Sequence, residues 1–243
     1  MKENKEIKCQ LFLLHFAGGS AYSFDFLKKN FDSAIDFIAL ELPGRGKRFE
    51  EELLKSRQEA IDDYCRQIVD LNNGSPFIIY GHSMGASLGF GVVAKLEQLG
   101  YFPKRFVVSG NAGPGVKKKR NIVRYLLDDF EFKEELRSLG GIPEEVLANK
   151  QLYDFFAPIM RADFECIEKK NIRQYDTIET PIYALMGSDE ENCEDIDNWN
   201  QYTNTVFEHK VLKGNHFFIY DHAAELARIL KESFLTQTDL QEI

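Results

Sequence analysis

A chain of 243 residues that is 44% hydrophobic can bury one sizeable core, and at this length an α/β chain reads as a single domain. The formal net charge of −9 excludes general nucleic-acid binding, and no apolar run approaches the roughly 20 residues that span a bilayer, so no membrane segment is expected. The four cysteines, Cys9, Cys65, Cys166 and Cys193, form no C-x-x-C pair and no metal-ligand spacing, which predicts a reducing, cytoplasmic setting without a metal.

Met1 to Lys8 is charged and Cys9 to Ala17 is mostly apolar. Gln10 and His15 interrupt the apolar stretch and no small-x-small cleavage site follows, so it reads as a first strand, Leu11 to Phe16, and not as a signal peptide. A Gly-rich turn and a helix near Ser23 to Asn30 come next. Phe37 to Leu42 reads as a second strand, closed by Pro43-Gly44. Ser56-Arg57-Gln58-Glu59 has the form of a capping box. Behind it Ile61, Tyr64, Cys65 and Ile68 recur at helical spacing and mark one inward face. The apolar run Pro76 to Tyr80 leads into Gly81-His82-Ser83-Met84-Gly85. Ala86 to Leu99 leads out as a helix that is apolar on most sides. Its glycines, Gly85, Gly89 and Gly91, lower helix propensity and so predict a buried helix pressed against its neighbours. Gly100 ends it, and Phe106 to Ser109 is the next strand.

After Gly110 the alternation breaks. Residues 111–180 read as helices without clear strands: Phe130 to Leu139, Glu144 to Ala148, Leu152 to Phe156 and Asp163 to Lys170. Pro181 to Met186 and Phe207 to Leu212 resume as strands, and Ala223 to Phe234 closes as a helix. This order predicts an α/β fold with a mainly parallel sheet covered on both faces. The helical stretch becomes an insertion over the strand ends, where such sheets bind ligands. The tail after Thr236 is polar and reads as frayed.

Gly81-His82-Ser83-Met84-Gly85 is a Gly-x-Ser-x-Gly pentapeptide between a strand and a helix, the setting of a nucleophile elbow in the α/β-hydrolase fold. A serine hydroxyl needs a base, and the order expected on that fold is nucleophile, acid, then histidine. His209 falls inside a strand pattern and His222 opens a helix, whereas His216 sits in a turn just after a strand end and is the expected base. The acid belongs on Met186-Gly187-Ser188-Asp189-Glu190-Glu191. Asp189 is the commoner residue type and Glu190 has the commoner spacing from the glycine, so both stand as candidates. Two backbone N–H groups must face the oxyanion. Met84 follows the nucleophile, and His15-Phe16-Ala17-Gly18-Gly19 supplies the other donor, with Ala17 preferred and Phe16 second. The glycine turn is no phosphate loop, since it lacks G-x-G-x-x-G and a following Lys-Ser/Thr. His82 reads as packing or local hydrogen bonding. Arg45 or Arg48 could support the site from the Pro43-Gly44-Arg45-Gly46 turn. Lys117-Lys118-Lys119-Arg120 is the one dense basic run, either a solvated loop or a docking patch for an acidic partner.

With Ala17-Gly18-Gly19-Ser20-Ala21, Leu42-Pro43-Gly44-Arg45-Gly46, the Gly81 to Ala86 elbow, Leu139 to Leu147, Arg161-Ala162-Asp163, Trp199 and Gly214-Asn215-His216-Phe217-Phe218, nearly the whole chain resembles the type II thioesterases that accompany nonribosomal peptide and polyketide synthetases. It departs from them in having Leu14-His15-Phe16 where Phe-Pro is usual, Gly214-Asn215-His216 where Gly-Gly-His is usual, and Glu190 where Asp is usual. The resemblance implies hydrolysis of acyl thioesters on the phosphopantetheine arm of an acyl or peptidyl carrier protein, through an acyl-Ser83 intermediate and without a cofactor. It also implies that the helical insertion is a lid whose Phe130, Phe132, Phe155 and Phe156 line an acyl pocket or pack the lid. The rival expectations are a generic carboxylesterase or lipase on the same fold and a non-catalytic carrier-binding protein. A monomer is expected, since no long exposed heptad appears.

Overall fold

Alternation of side chains decides the first strand. In β1 (Cys9–Leu14), Leu11 and Leu13 face one side of the sheet and Phe12 and Leu14 the other, and all four are fully buried. A strand apolar on both faces suits a parallel sheet with helices above and below. The computed structural model describes residues 9–116, 122–169 and 177–234. Among them β1 is joined by β2 (Ile35–Ala39), β3 (Phe77–His82), β4 (Phe106–Ser109), β5 (Ile182–Gly187) and β6 (Phe207–Leu212), all parallel, in the order β2-β1-β3-β4-β5-β6. The register sets Leu14 opposite Gly81 and His82 opposite Ser109, so the chain leaves β1, β3 and β4 side by side at the same sheet end.

One face of the sheet is covered by α2 (Arg57–Leu71) and α3 (Met84–Gln98), where Ile61, Tyr64, Ile68, Leu88 and Val92 pack on Phe12, Leu14 and Ile79. On the other face α1 (Asp25–Lys28) and α7 (Ala223–Glu232) bring Leu27, Leu226 and Ile229 against Leu11, Leu13, Ile78 and Val107. Eleven of the fifteen residues of α3 are buried, so this helix is interior on nearly all sides. A Cβ on Gly89 would come within 2.8 Å of the Phe106 ring, and one on Gly85 would strike the Leu14 carbonyl, which fixes why both positions are glycine. Gly100 ends the helix at φ +86°.

Between β4 and β5 lie a short 3-10 turn (Arg124–Leu126), α4 (Asp129–Leu139), α5 (Glu144–Ala148) and α6 (Lys150–Glu168). They share a core of their own built from Phe132, Leu136, Leu147, Tyr153, Met160 and Phe164. Here the structure corrects the sequence reading: the two helices expected at Leu152 to Phe156 and from Asp163 onward are one continuous helix, Lys150–Glu168, that runs through Pro158. A mid-helix proline costs about 3 kcal/mol. Burial of Ile159, Met160 and Phe164 returns about 1.5–3 kcal/mol each, which outweighs it. Asn149 starts the helix cleanly, its side chain accepting the N–H groups of Gln151 and Leu152.

Other differences are local. The helix expected at Ser23 to Asn30 is a 3-10 turn (Ala21–Phe24) followed by α1, with a capping box made by Ser20 and Ser23. β2 lies at Ile35–Ala39, ahead of the expected span. Ser56 does occupy the N-cap of α2, but its side chain takes no hydrogen bond from the helix; its carbonyl accepts the Ala60 N–H. A 3-10 stretch (Cys193–Tyr202), not expected from the sequence, carries the fully buried Trp199, whose Nε1–H donates to the Asn111 carbonyl at 2.7 Å. Lys117 to Arg120 lie outside the described residues. Among the described residues no helix is long and apolar enough to cross a membrane.

Candidate active site

β3 ends at His82 and α3 begins at Met84, so Ser83 alone makes the turn between strand and helix. Its backbone sits at φ +55°, ψ −109°, the one non-glycine residue with positive φ among those described. Such a conformation costs of order 1–3 kcal/mol and persists only where the surroundings enforce it. They do so here. The Ser83 N–H donates to the Ser109 carbonyl at 2.8 Å, and the Ser83 carbonyl accepts the Ser87 N–H at 3.1 Å. Gly81 and Gly85 flank the turn where added side chains would collide with backbone.

The Ser83 hydroxyl points at His216, with Oγ 2.9 Å from Nε2. On the far side of the ring, Nδ1 stands 2.7 Å from Oε2 of Glu190. The loops that carry these two groups are stitched together. The Ser188 N–H donates to the Leu212 carbonyl, the Asp189 N–H to the Gly214 carbonyl and the Gly214 N–H to Ser188 Oγ. Gly187 lets them approach: a Cβ there would lie 2.5 Å from the carbonyl oxygens of both Gly214 and Asn215. The Gly187 N–H in turn donates to Oε1 of Glu190 at 2.8 Å. Of the two candidate acids, Glu190 is therefore the one brought to His216. Asp189 is exposed and its Oδ1 accepts from Ser188 Oγ at 2.7 Å.

The expected oxyanion donors flank the same hydroxyl. Met84 is the first residue of α3, so its N–H has no acceptor within the helix. In the turn after β1, the N–H groups of Gly18, Gly19, Ser20 and Ala21 are all used, by Asp163 Oδ2, the Phe16 carbonyl, Ser23 Oγ and Glu41 Oε1. That leaves Phe16 and Ala17 as the donors of this turn that can face a ligand. Ala17, Ser83, Met84 and His216 open onto one cavity of about 770 Å³, whose walls are largely apolar side chains of α3 and of the α4 to α6 block. Of the four phenylalanines expected there, Phe156 lines the cavity, Phe132 is fully buried in the helical core, and Phe130 and Phe155 are exposed.

His82 lies behind the site. It is fully buried, its Nδ1 hydrogen-bonds to Ser109 Oγ at 2.8 Å, and its ring centre is 5.0 Å from that of His216. Burial, and then the neighbouring His216, push its pKa well below the ordinary histidine value, which makes it a weak proton acceptor. His15 is held likewise. Its Nδ1–H donates to the Phe16 carbonyl at 2.8 Å, and burial followed by the Arg45 charge lowers its pKa to about 4. Arg48 faces away, bonded to Glu51 and Asp63. Arg45 does reach the turn after β1, donating to the Gly19 carbonyl and to Asp163, a contact that sequence reasoning missed; the only signals were Arg45 in its glycine turn and the Arg161-Ala162-Asp163 string. Among the described residues no three His, Cys, Asp or Glu side chains cluster as a metal site would require.

The thioesterase domain family matches residues 9–234. The gramicidin S biosynthesis protein GrsT of Aneurinibacillus migulanus is 30% identical over 230 residues, which are 93% of this chain and 89% of that protein. Two solved structures share the fold closely. ClbQ from the colibactin NRPS/PKS pathway superposes with a TM-score of 0.85 at 26% identity, over 93% of this chain and 96% of its own. BorB, a type II thioesterase from the borrelidin biosynthetic cluster, superposes with a TM-score of 0.84 at 27% identity, over 94% of this chain and 93% of its own.

Proposed function

The chain belongs to the thioesterase domain family, and from that premise we propose that it hydrolyses acyl thioesters carried on the phosphopantetheine arm of an acyl or peptidyl carrier protein, removing stalled or mis-primed groups from a nonribosomal peptide or polyketide synthetase. The observation that carries this reading is the hydrogen-bonded chain Ser83–His216–Glu190 at the mouth of an apolar cavity of about 770 Å³. A buried carboxylate accepts only, so Glu190 keeps the proton on Nδ1 and the lone pair of Nε2 faces Ser83.

Ser83 attacks the thioester carbonyl as His216 takes its proton. The oxyanion is met by the N–H groups of Met84 and Ala17; losing one such donor typically costs about 10²–10³ in rate. The thiol of the pantetheine arm leaves with the proton from His216. Water, deprotonated by the same imidazole, then releases the acid from the acyl-Ser83 ester. The block α4 to α6 acts as a lid on a single α/β-hydrolase domain, and its inner wall receives the acyl chain. The four free cysteines support a reducing, cytoplasmic setting.

The test is a panel of acyl-carrier and acyl-pantetheine thioesters beside p-nitrophenyl esters of equal chain length, with Ser83→Ala alongside and a fluorophosphonate probe of Ser83. Thioesters are expected to be cleaved far better, and Ser83→Ala to lose turnover and labelling. Preference for the nitrophenyl ester would make the protein a carboxylesterase. Turnover unchanged by Ser83→Ala, or no turnover together with carrier binding, would end the serine-hydrolase reading.

A further inference from the structure

The oxyanion turn is fastened by a buried ion pair. Arg45 and Asp163 have side-chain exposures of 4% and 1%. Nη1 and Nη2 of Arg45 donate to Oδ2 and Oδ1 of Asp163 at 2.6 and 2.7 Å, a bidentate fork. The pair is not closed on itself. Asp163 Oδ2 also accepts the Gly18 N–H at 2.8 Å, and Arg45 Nη1 also donates to the Gly19 carbonyl at 3.3 Å. One charge thus grips the peptide entering Gly18 and the other the peptide leaving Gly19. Three and four residues apart on α6, Met160, Asp163 and Phe164 share a face. Met160 closes the remaining side of the turn: a Cβ on Gly18, which sits at φ +75°, would lie 2.8 Å from its Cγ. A buried ion pair adds little stability beyond that of an apolar pair of equal volume. Its value here lies in the geometry it imposes.

We propose that Arg45 and Asp163 are positioning residues for the oxyanion donor: they lock Gly18 and Gly19 so that the adjoining Ala17 N–H stays turned to the carbonyl held at Ser83, and, since Asp163 stands on α6, they tie that donor to the helical block over the cavity. This rests on the thioesterase reading above.

The test compares two doubly neutral variants. Arg45→Met with Asp163→Leu fills the volume but offers Gly18 no acceptor. Arg45→Met with Asp163→Asn restores a carbonyl acceptor. For each, kcat and KM on an acyl-pantetheine thioester, the affinity of a trifluoromethyl ketone bearing the same acyl chain (whose hemiketal oxygen mimics the oxyanion) and the urea midpoint are measured. The Met/Leu protein is expected to lose about 10²-fold in kcat, with KM near wild type and ketone affinity reduced in parallel, and the Met/Asn protein to regain only the part owed to Gly18, because the Gly19 carbonyl stays unheld in both. A folded Met/Leu protein with wild-type kcat and ketone affinity overturns the proposal, as does a kcat that follows the urea midpoint instead of the acceptor. Should the double variants fail to fold, Arg45→Lys keeps the buried charge and leaves Asp163 on Gly18. It is expected to lower kcat and ketone affinity together, and unchanged values overturn the proposal. Absence of thioester turnover in the wild type sinks the functional reading and this proposal with it; turnover in the wild type with unaltered variants sinks this proposal alone.

Discussion

Glu190 serves His216 with one oxygen and its own loop with the other: Oε2 lies 2.7 Å from Nδ1 of the imidazole, and Oε1 accepts the Gly187 N–H at 2.8 Å. The longer side chain of a glutamate needs such a tether, because each added torsion loosens the aim of the carboxylate. Asp189 has no comparable link to the ring. Glu190→Gln is expected to reduce kcat by about 10²–10⁴-fold, because an amide can present a donor to Nδ1 and favour the wrong tautomer. Asp189→Asn is expected to stay close to wild type. Steady-state hydrolysis of one acyl-pantetheine thioester by both variants decides it, and the opposite ranking would transfer the acid's role to Asp189.

Gly110 leaves room for two imidazoles at once. It stands at φ +61°, and a Cβ there would lie 2.6 Å from Cε1 of His82 and 3.0 Å from Cε1 of His216. Gly110→Ala is expected to push His216 off Ser83 and lower kcat by about 10²-fold, the usual penalty for a misplacement near 1 Å. Fluorophosphonate labelling of Ser83 should slow in step. A variant that folds and labels at the wild-type rate would show that His216 tolerates the displacement.

The strained turn at Ser83 carries a stability signature. Ser83→Gly removes a side chain from φ +55° and relieves about 1–3 kcal/mol of strain, offset by about 0.5–1 kcal/mol of extra chain entropy in the unfolded state. The expected outcome is an inactive protein about 1 kcal/mol more stable than the wild type by urea unfolding. A clear loss of stability would mean that the Ser83 hydroxyl holds the loops together more strongly than its backbone strains them.

Acid stability follows from His15. Its folded pKa of about 4 is below the ordinary value near 6.5, so the unfolded chain binds the proton first as pH falls. The contribution of neutral His15 is therefore complete above pH 6.5 and is lost on descending toward pH 4, where it amounts to about 3 kcal/mol. The stability gap between wild type and His15→Gln, read from urea curves at pH 7, 5.5 and 4, should narrow by that amount. A gap independent of pH would contradict it.

What was legible in the chain was whatever is enforced locally. Gly81 and Gly85 announce the turn at Ser83 because close backbone approach leaves no room for a side chain, and alternation in Leu11 to Leu14 announces a strand buried on both faces. His216 could be singled out because its neighbours place it just past a strand end. The choice between Asp189 and Glu190 was open, since adjacent residues on a turn differ only in where the loop aims them. Pro158 hid the continuity of α6, because the compensating burial of Met160 and Phe164 comes from tertiary packing. The bond between Arg45 and Asp163 spans 118 residues and leaves no periodic trace.

Since Asp163 answers to a glycine 145 residues upstream as well as to Arg45, the stretch 129–168 is no interchangeable cassette. Anyone recombining it with the matching segment of a relative to alter chain-length preference inherits a compatibility rule. The incoming helix must bring an acceptor for Gly18, and the recipient must keep a cation to neutralise it, or the hybrid will carry an orphaned charge into its interior.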